Sequence, residues 1–323
     1  MTSPLGYHAS HEQFPPGELL ALVQRAERAG FGSAMCSDHF HPWSDAQGQS
    51  GHAWTWLGSA MATTRLSHAS VCSPVGRYHP AVVAQAVATL NAMHDGRYTL
   101  VAGSGEALNE AITGQRWPGK DVRNERLRVA VETMRALWGG EEVTMLKRGL
   151  GFRIERARLY TLPANVPKVF VAALSAGTAR WAAQWADGLV TVSTEPKALA
   201  RVLDAFRGSG GEGKPAWLQV KLSWDASESA AMEGACAQWK TNVLPGAVSE
   251  ELRCPAQFES AASLVREEDV RKAVRVSADL HRHIGWLQGD LEMGFDRLML
   301  HNVNRSQARF IDAFAEHVLP AVH

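Results

Sequence analysis

Strand-length apolar runs recur eight times along the chain, at residues 5–7, 33–37, 69–73, 98–102, 169–173, 188–192, 217–222 and 297–301. Runs of this length, bounded by turn residues and lacking clean polar alternation, are expected of strands buried on both faces, as in a parallel sheet. Helix-patterned stretches separate them. Pro15-Pro16-Gly17 opens one over 18–29, and others are expected at 54–61, 81–93, about 121–138, through Trp181 and Trp185, 197–206, near 227–240 and 307–319. Crossovers of that size suit right-handed βαβ units. A closed TIM (β/α)8 barrel is the economical solution, with an open doubly wound sheet as the alternative. At 323 residues the chain fits one such barrel, a single domain over 1–323. Two segments stand outside the repeat. Residues 143–160 alternate like a hairpin insertion, and 241–265 have no clear period. Gly208 to Gly213 reads as a flexible turn.

Composition excludes several functions. Thirty-three basic side chains balance 33 acidic ones, so nothing draws the chain generally to nucleic acid or an anionic membrane. No apolar run is long enough to span a bilayer, and the first residues lack the basic and apolar regions of a signal peptide. Cys36, Cys72, Cys236 and Cys254 are widely spaced with no Cys-x-x-Cys pair, which fits reduced thiols in a cytoplasmic protein. The chain has no Gly-x-Ser-x-Gly elbow and no P-loop, which leaves nucleophilic hydrolysis and phosphoryl transfer without support. Eleven tryptophans, several near expected loops, offer flat apolar walls for a planar ligand, although core filling accounts for most tryptophans.

The chemistry gathers where strands end. The second run stops in Ser37-Asp38-His39-Phe40-His41-Pro42-Trp43, placing acid, imidazole and indole at a strand's C-terminal edge. In a barrel the loops after strands one to four rise at one rim. Glu12, Asp38, His39, Trp43, Ser70, Ser73, Glu106 and Asn109 would then converge. A histidine and a separate glutamate at one mouth can serve as general base and general acid. The simpler roles are loop capping for the histidine and a first-turn position for Glu106, which the helix dipole favours. Gly103-Ser104-Gly105 permits close backbone approach to a planar ring or phosphate, but Leu108 stands where a dinucleotide fingerprint needs its third glycine. His39 and His41 also have the spacing of a metal pair on one side of an extended segment. A barrel metallohydrolase would need ligands on later strands, and only His301 is available.

Four ordered motifs, Gly6-Tyr7-His8-Ala9-Ser10-His11-Glu12-Gln13-Phe14, Ser37 to Trp43, Arg77-Tyr78-His79-Pro80 and Gly103 to Glu110, closely resemble the luciferase-like flavin-dependent superfamily. Within it the chain is similar to coenzyme F420-dependent glucose-6-phosphate dehydrogenases and their relatives, along nearly its whole length. The resemblance implies a TIM barrel binding FMN or F420 at the C-terminal rim, usually as a dimer. It implies an oxidoreductase that moves a hydride between that cofactor and a hydroxyl or carbonyl of a small molecule. His39 matches the base that takes the substrate hydroxyl proton, and Glu106 matches the acid near the cofactor ring. Trp43 and Glu12 match pocket-lining residues. The cofactor would meet Asp38, Ser70, Val71, Ser73, Gly103, Ser104, Gly105, Asn109, Ala173, Leu174 and Ser175. Ser70-Val71 falls where the family has a non-prolyl cis peptide. Two positions depart from the sugar-phosphate enzymes. Leu174-Ser175 replaces a Gly-Gly pair at the cofactor phosphate, which keeps FMN beside F420 as a candidate. Ser260 aligns with a phosphate-holding lysine, and Lys197 is the other basic candidate. The rival activities are an FMNH2/O2 monooxygenase, the metallohydrolase, and a non-catalytic flavin-binding protein.

Overall fold

The computed structural model describes residues 3–322. Eight parallel strands form a closed barrel: β1 (Leu5–Ala9), β2 (Ser33–Ser37), β3 (Ser67–Cys72), β4 (Tyr98–Ala102), β5 (Val169–Ala172), β6 (Gly188–Val192), β7 (Ala216–Ser223) and β8 (Arg297–Asn302). Each pairs with the next in sequence, and β8 closes on β1 with Leu298 opposite Leu5. The open-sheet alternative is thereby excluded. The helices form the outer ring: α1 (Pro16–Arg28), α2 (Ala53–Thr63), α3 (Pro80–Met93), α4 (Lys120–Trp138), α5 (Ala176–Ala182), α6 (Pro196–Phe206), α7 (Glu228–Trp239), α8 (Leu280–Met293) and α9 (Gln307–Ala313). Among the described residues no helix is long and apolar enough to cross a membrane.

Alternation along each strand sorts its side chains between two cores. Outward residues such as Leu5, Tyr7, Leu100, Val171 and Leu218 pack with the helices. Inward residues Met35, Ala69, Val101, Phe170, Val190, Trp217 and Met299 fill the barrel itself. Phe170 packs against Trp217 with ring centroids 4.5 Å apart, and its ring occupies the space above Gly188. A Cβ added to Gly188 would lie 2.6 Å from Phe170 Cζ, so that strand must begin with glycine. Above this apolar floor the inward positions turn polar: His8 from β1, Gln219 and Lys221 from β7, and His301 from β8.

The hairpin insertion is present as antiparallel strands Val143–Met145 and Ile154–Ala157. Its apolar side, with Leu150, Phe152 and Ile154, packs on Val75 and α4. Residues 241–265 fold into short helical turns, among them Gly246–Ser249 and Pro255–Ala261. A two-residue strand, Arg275–Val276, adds to β7 outside the barrel and has no sequence pattern of its own. The glycine turn after α6 kinks at Ser209 and Gly210, whose backbone is not helical, with Gly210 at φ 105°. The expected cis peptide is absent: every peptide bond among the described residues is trans. With a trans bond Ser70 and Val71 stay in register with both neighbours, opposite Cys36 and Ser37 on β2 and Leu100 and Val101 on β4.

Candidate active site

His39 stands at the centre of the barrel mouth, its side chain 14% exposed. Its Nδ1 lies 3.5 Å from Glu12 Oε1, and its Nε2 lies 3.9 Å from Glu106 Oε2. Three segments from different strand ends thus present a carboxylate, an imidazole and a second carboxylate in line. The Trp43 ring sits 5.0 Å from that of His39 and is backed by Phe258 at 5.2 Å.

The two glutamates differ because their surroundings differ. Glu12 is buried, and its Oε2 accepts hydrogen bonds from the hydroxyls of Ser10 (2.8 Å) and Ser37 (2.7 Å). Burial alone would push its pKa up, but the His39 charge and those hydroxyls outweigh it and hold Glu12 below the ordinary carboxylate range. Glu106 has no such donors. Its Oε2 is covered without a protein hydrogen-bond partner, and burial raises its pKa, with the Glu12 charge assisting and His39 opposing. Glu12 is thereby shifted toward its ionised form behind the imidazole, and Glu106, its side chain 41% exposed, is shifted toward its protonated form in front of it. That is a separation of base-orienting and acid roles.

The loop carrying His39 is locked from beneath. Asp38 Oδ1 meets Arg77 Nη2 at 3.2 Å and accepts from the Tyr78 hydroxyl at 3.1 Å, while Arg77 also donates to the Asp38 carbonyl. Asn109 accepts from the Phe40 backbone N–H at 2.8 Å, tying the loop after β4 to the loop after β2. Glu110, buried beside this cluster, accepts from the Arg77 backbone N–H. Burial pushes Glu110 up to about 7, the Arg77 N–H and guanidinium opposing the shift. Glu110 was visible in the sequence only as the last letter of a motif, with nothing to say that it would be enclosed.

His41 turns away from His39: its Nδ1 pairs with the Leu108 carbonyl at 2.9 Å. His301 Nε2 donates to Gln13 Oε1 at 3.0 Å, and its Nδ1 meets Gln219 Nε2 at 3.3 Å. Burial pushes His301 well below the ordinary histidine range, as a neutral ring in a hydrogen-bonded chain requires. The three histidines of the metal alternative thus diverge, and among the described residues no group of three His, Cys, Asp or Glu side chains could hold a metal.

The cofactor candidates fall into two sets. Ser73, Gly103, Ser104 and Gly105 gather beside Glu106. Gly105 has φ 84°, and a Cβ there would come within 3.0 Å of Ser73 Oγ, so the backbone must stay bare. Together with Val71 and Ala172 on the inner wall, these small residues are the ones that could hold a flat ring beside the unpartnered Glu106 Oε2. Ser70 does not belong to this group. It has the outward parity of β3, and its hydroxyl is spent on Tyr98 OH at 2.6 Å in the helix layer. The Asp38 side chain is 1% exposed and serves first as the partner of Arg77, although its Oδ2 is buried without a partner. Ala173 is buried toward the helices, Ser175 caps α5 through Thr178 N, and Leu174 stands 72% exposed at the tip of β5. Ser260 and Lys197 are both exposed.

Residues 2–295 match the family model described as luciferase-like monooxygenase. The chain belongs to that family. F420-dependent glucose-6-phosphate dehydrogenases of Beutenbergia cavernae and Intrasporangium calvum are 36% and 35% identical to it, with 96% and 98% of their lengths covered. A solved F420-dependent secondary alcohol dehydrogenase, in complex with an F420-acetone adduct, superposes with a TM-score of 0.91 at 30% identity over both full chains. An FMN-bound type II Baeyer-Villiger monooxygenase from Pseudomonas putida shares the fold at a TM-score of 0.72 and 14% identity. This luciferase-like protein is accordingly an oxidoreductase, of the kind that works with F420 or a flavin.

Proposed function

We infer that the protein oxidises a small secondary alcohol, or reduces the corresponding carbonyl compound, with F420 as the hydride carrier. The observation that carries this reading is His39 held between Glu12 and Glu106. A hydride leaves a carbinol carbon only as the hydroxyl proton is removed, so a base must face that oxygen. His39 Nε2 faces the mouth and takes the proton, and Glu12, on the far nitrogen, orients the ring and stabilises the imidazolium that results. Glu106, its proton affinity raised by burial, supplies a proton at the edge of the cofactor ring. Val71, Ser73 and Gly103 to Gly105 would hold the cofactor ring, which supplies the hydride acceptor when bound. Trp43 and Phe258 exclude water over the reacting carbon.

The same likenesses that support F420 extend to sugar phosphates, but the mouth supports a smaller substrate. Ser260 and Lys197 lie exposed rather than as a basic pocket. A second reading, FMN in place of F420, draws on Leu174, whose exposed side chain stands where bare backbone would approach a cofactor phosphate. The reduced cysteines support a cytoplasmic setting, and the family resemblance supports a homodimer. The test is fluorescence titration with F420, FMN and FMNH2, followed by anaerobic oxidation of secondary alcohols. Tight F420 binding and oxygen-independent bleaching of the cofactor support the reading. Failure of all three to bind below millimolar concentration, or turnover that consumes oxygen with FMNH2, would overturn it in favour of the flavin-free or monooxygenase alternative.

A further inference from the structure

One charged group in the barrel has no task in this scheme. Lys221 occupies an inward position of β7, two residues above Gln219 and four above Trp217, which places its amine at the level of the mouth. Its Nζ lies 5.6 Å from the Trp239 ring centroid, and Trp239 in turn stacks edge-on against His301. Of the Lys221 donors only the backbone N–H is hydrogen-bonded among the described residues, to Ser193 Oγ, and Nζ is uncovered. Burial lowers its pKa to about 8, and Glu106 is the charge that opposes the fall. Lys221 is half-buried and its Nζ is open to the mouth, where water serves its three donors. When substrate displaces that water, the acceptor has to come from the ligand.

We propose that Lys221 binds a second oxygen of the substrate, so that the alcohol handled at His39 carries a neutral acceptor oxygen, as a diol or hydroxyketone does, beside the carbinol. The proposal rests on the reading of the mouth as an alcohol site. Across the gap, His39 addresses the reacting hydroxyl from β2 and Lys221 addresses its neighbour from β7. The charge balance favours a neutral acceptor over a carboxylate. Glu12 is held ionised and Lys221 is protonated at neutral pH, while Asp38 and Arg77 neutralise each other. A neutral oxygen adds no charge to a mouth that already holds Glu12 and Glu106, whereas a carboxylate would bring a third acidic group beside them. In Trp217-Leu218-Gln219-Val220-Lys221 every second residue of a buried strand is polar or amphipathic, which points those side chains at one interior.

The experiment compares 2-propanol, 1,2-propanediol and lactate on the cofactor-loaded enzyme, wild type against K221M and K221R. Wild type should favour the diol over 2-propanol in kcat/KM by about ten- to a hundredfold, the range of a hydrogen bond to a charged donor. K221M should shrink that ratio to about threefold or less, and K221R, which keeps a charged donor, should retain most of it. Saturation-transfer NMR without cofactor supplies the separate readout, with diol contacts expected to weaken in K221M. If no alcohol is oxidised the functional reading fails, and the NMR comparison still decides the role of Lys221. Should K221M lose its melting transition, K221Q provides the same comparison. An unchanged diol preference in the variant, a wild type that favours 2-propanol, or lactate preferred over the diol would each overturn the proposal.

Discussion

Replacing Glu12 by glutamine removes one charge while keeping the shape of the side chain. Glu12 Oε1 lies 3.5 Å from His39 Nδ1. At an effective dielectric constant of about 20, two unit charges at that separation attract by about 5 kcal/mol. The amide dipole retains part of this, and the amide oxygen still accepts from Ser10 or Ser37. The expected loss in kcat is about two to three decades, comparable with losing the orienting carboxylate behind a catalytic histidine. KM and cofactor affinity should change by less than about threefold, because the charge matters once the imidazolium forms. Stopped-flow bleaching of the cofactor in a single turnover isolates that step. A drop of less than about fivefold, or a loss carried by KM alone, would refute the assignment of Glu12 as the partner of a transient imidazolium.

Glu106 acts in its protonated form, and its raised pKa lets that form persist above the ordinary carboxylate range. Activity should therefore fall as pH rises through the raised value, and E106Q should remove that limb from the kcat profile along with at least about tenfold in rate. Glu110 makes a stability prediction. Its folded-state pKa, about 7 against an ordinary 4.5, means its contribution is fully present below 4.5 and lost as pH rises to 7. A shift of this size corresponds to about 3 kcal/mol, so denaturant titration should show E110Q gaining on wild type by that order between pH 4.5 and 8, with no gain as the outcome that counts against enclosure. Gly188→Ala should cost about 1–3 kcal/mol by driving a methyl into the Phe170 ring, read as a lower thermal midpoint.

The barrel was legible because strand and helix patterns alternate cleanly. β4 and β6 span the residues expected from the sequence, and the 143–160 hairpin formed as read. The mouth was legible because parallel strands must deliver their following loops to one end. That rule brought Glu12, His39, Trp43 and Glu106 together across nearly a hundred residues of sequence. Single-residue parity was harder to read. Ser70 carries a rim-like side chain, yet Ala69 and Val71 take the inward positions and send it to the helix layer. His39 and His41 lie two apart, but the segment is not extended, so they diverge. Segment 241–265 has no period because no long amphipathic face holds it. Point contacts do so instead: Arg123 to Glu250 at 2.7 Å, Asp45 N to Glu259 at 2.9 Å, and Phe258 on Trp43. Glu110 escaped notice because enclosure, which raises its proton affinity, is a property of the assembled mouth.

The account depends most on the imidazole of His39 receiving the substrate's hydroxyl proton. The direct measurement is single-turnover cofactor reduction by H39A, with and without added imidazole. The account predicts unchanged cofactor binding, a chemical step slowed by about a hundred- to ten-thousandfold, and partial recovery with imidazole. Reduction of the cofactor by H39A within a few-fold of the wild-type rate would contradict it.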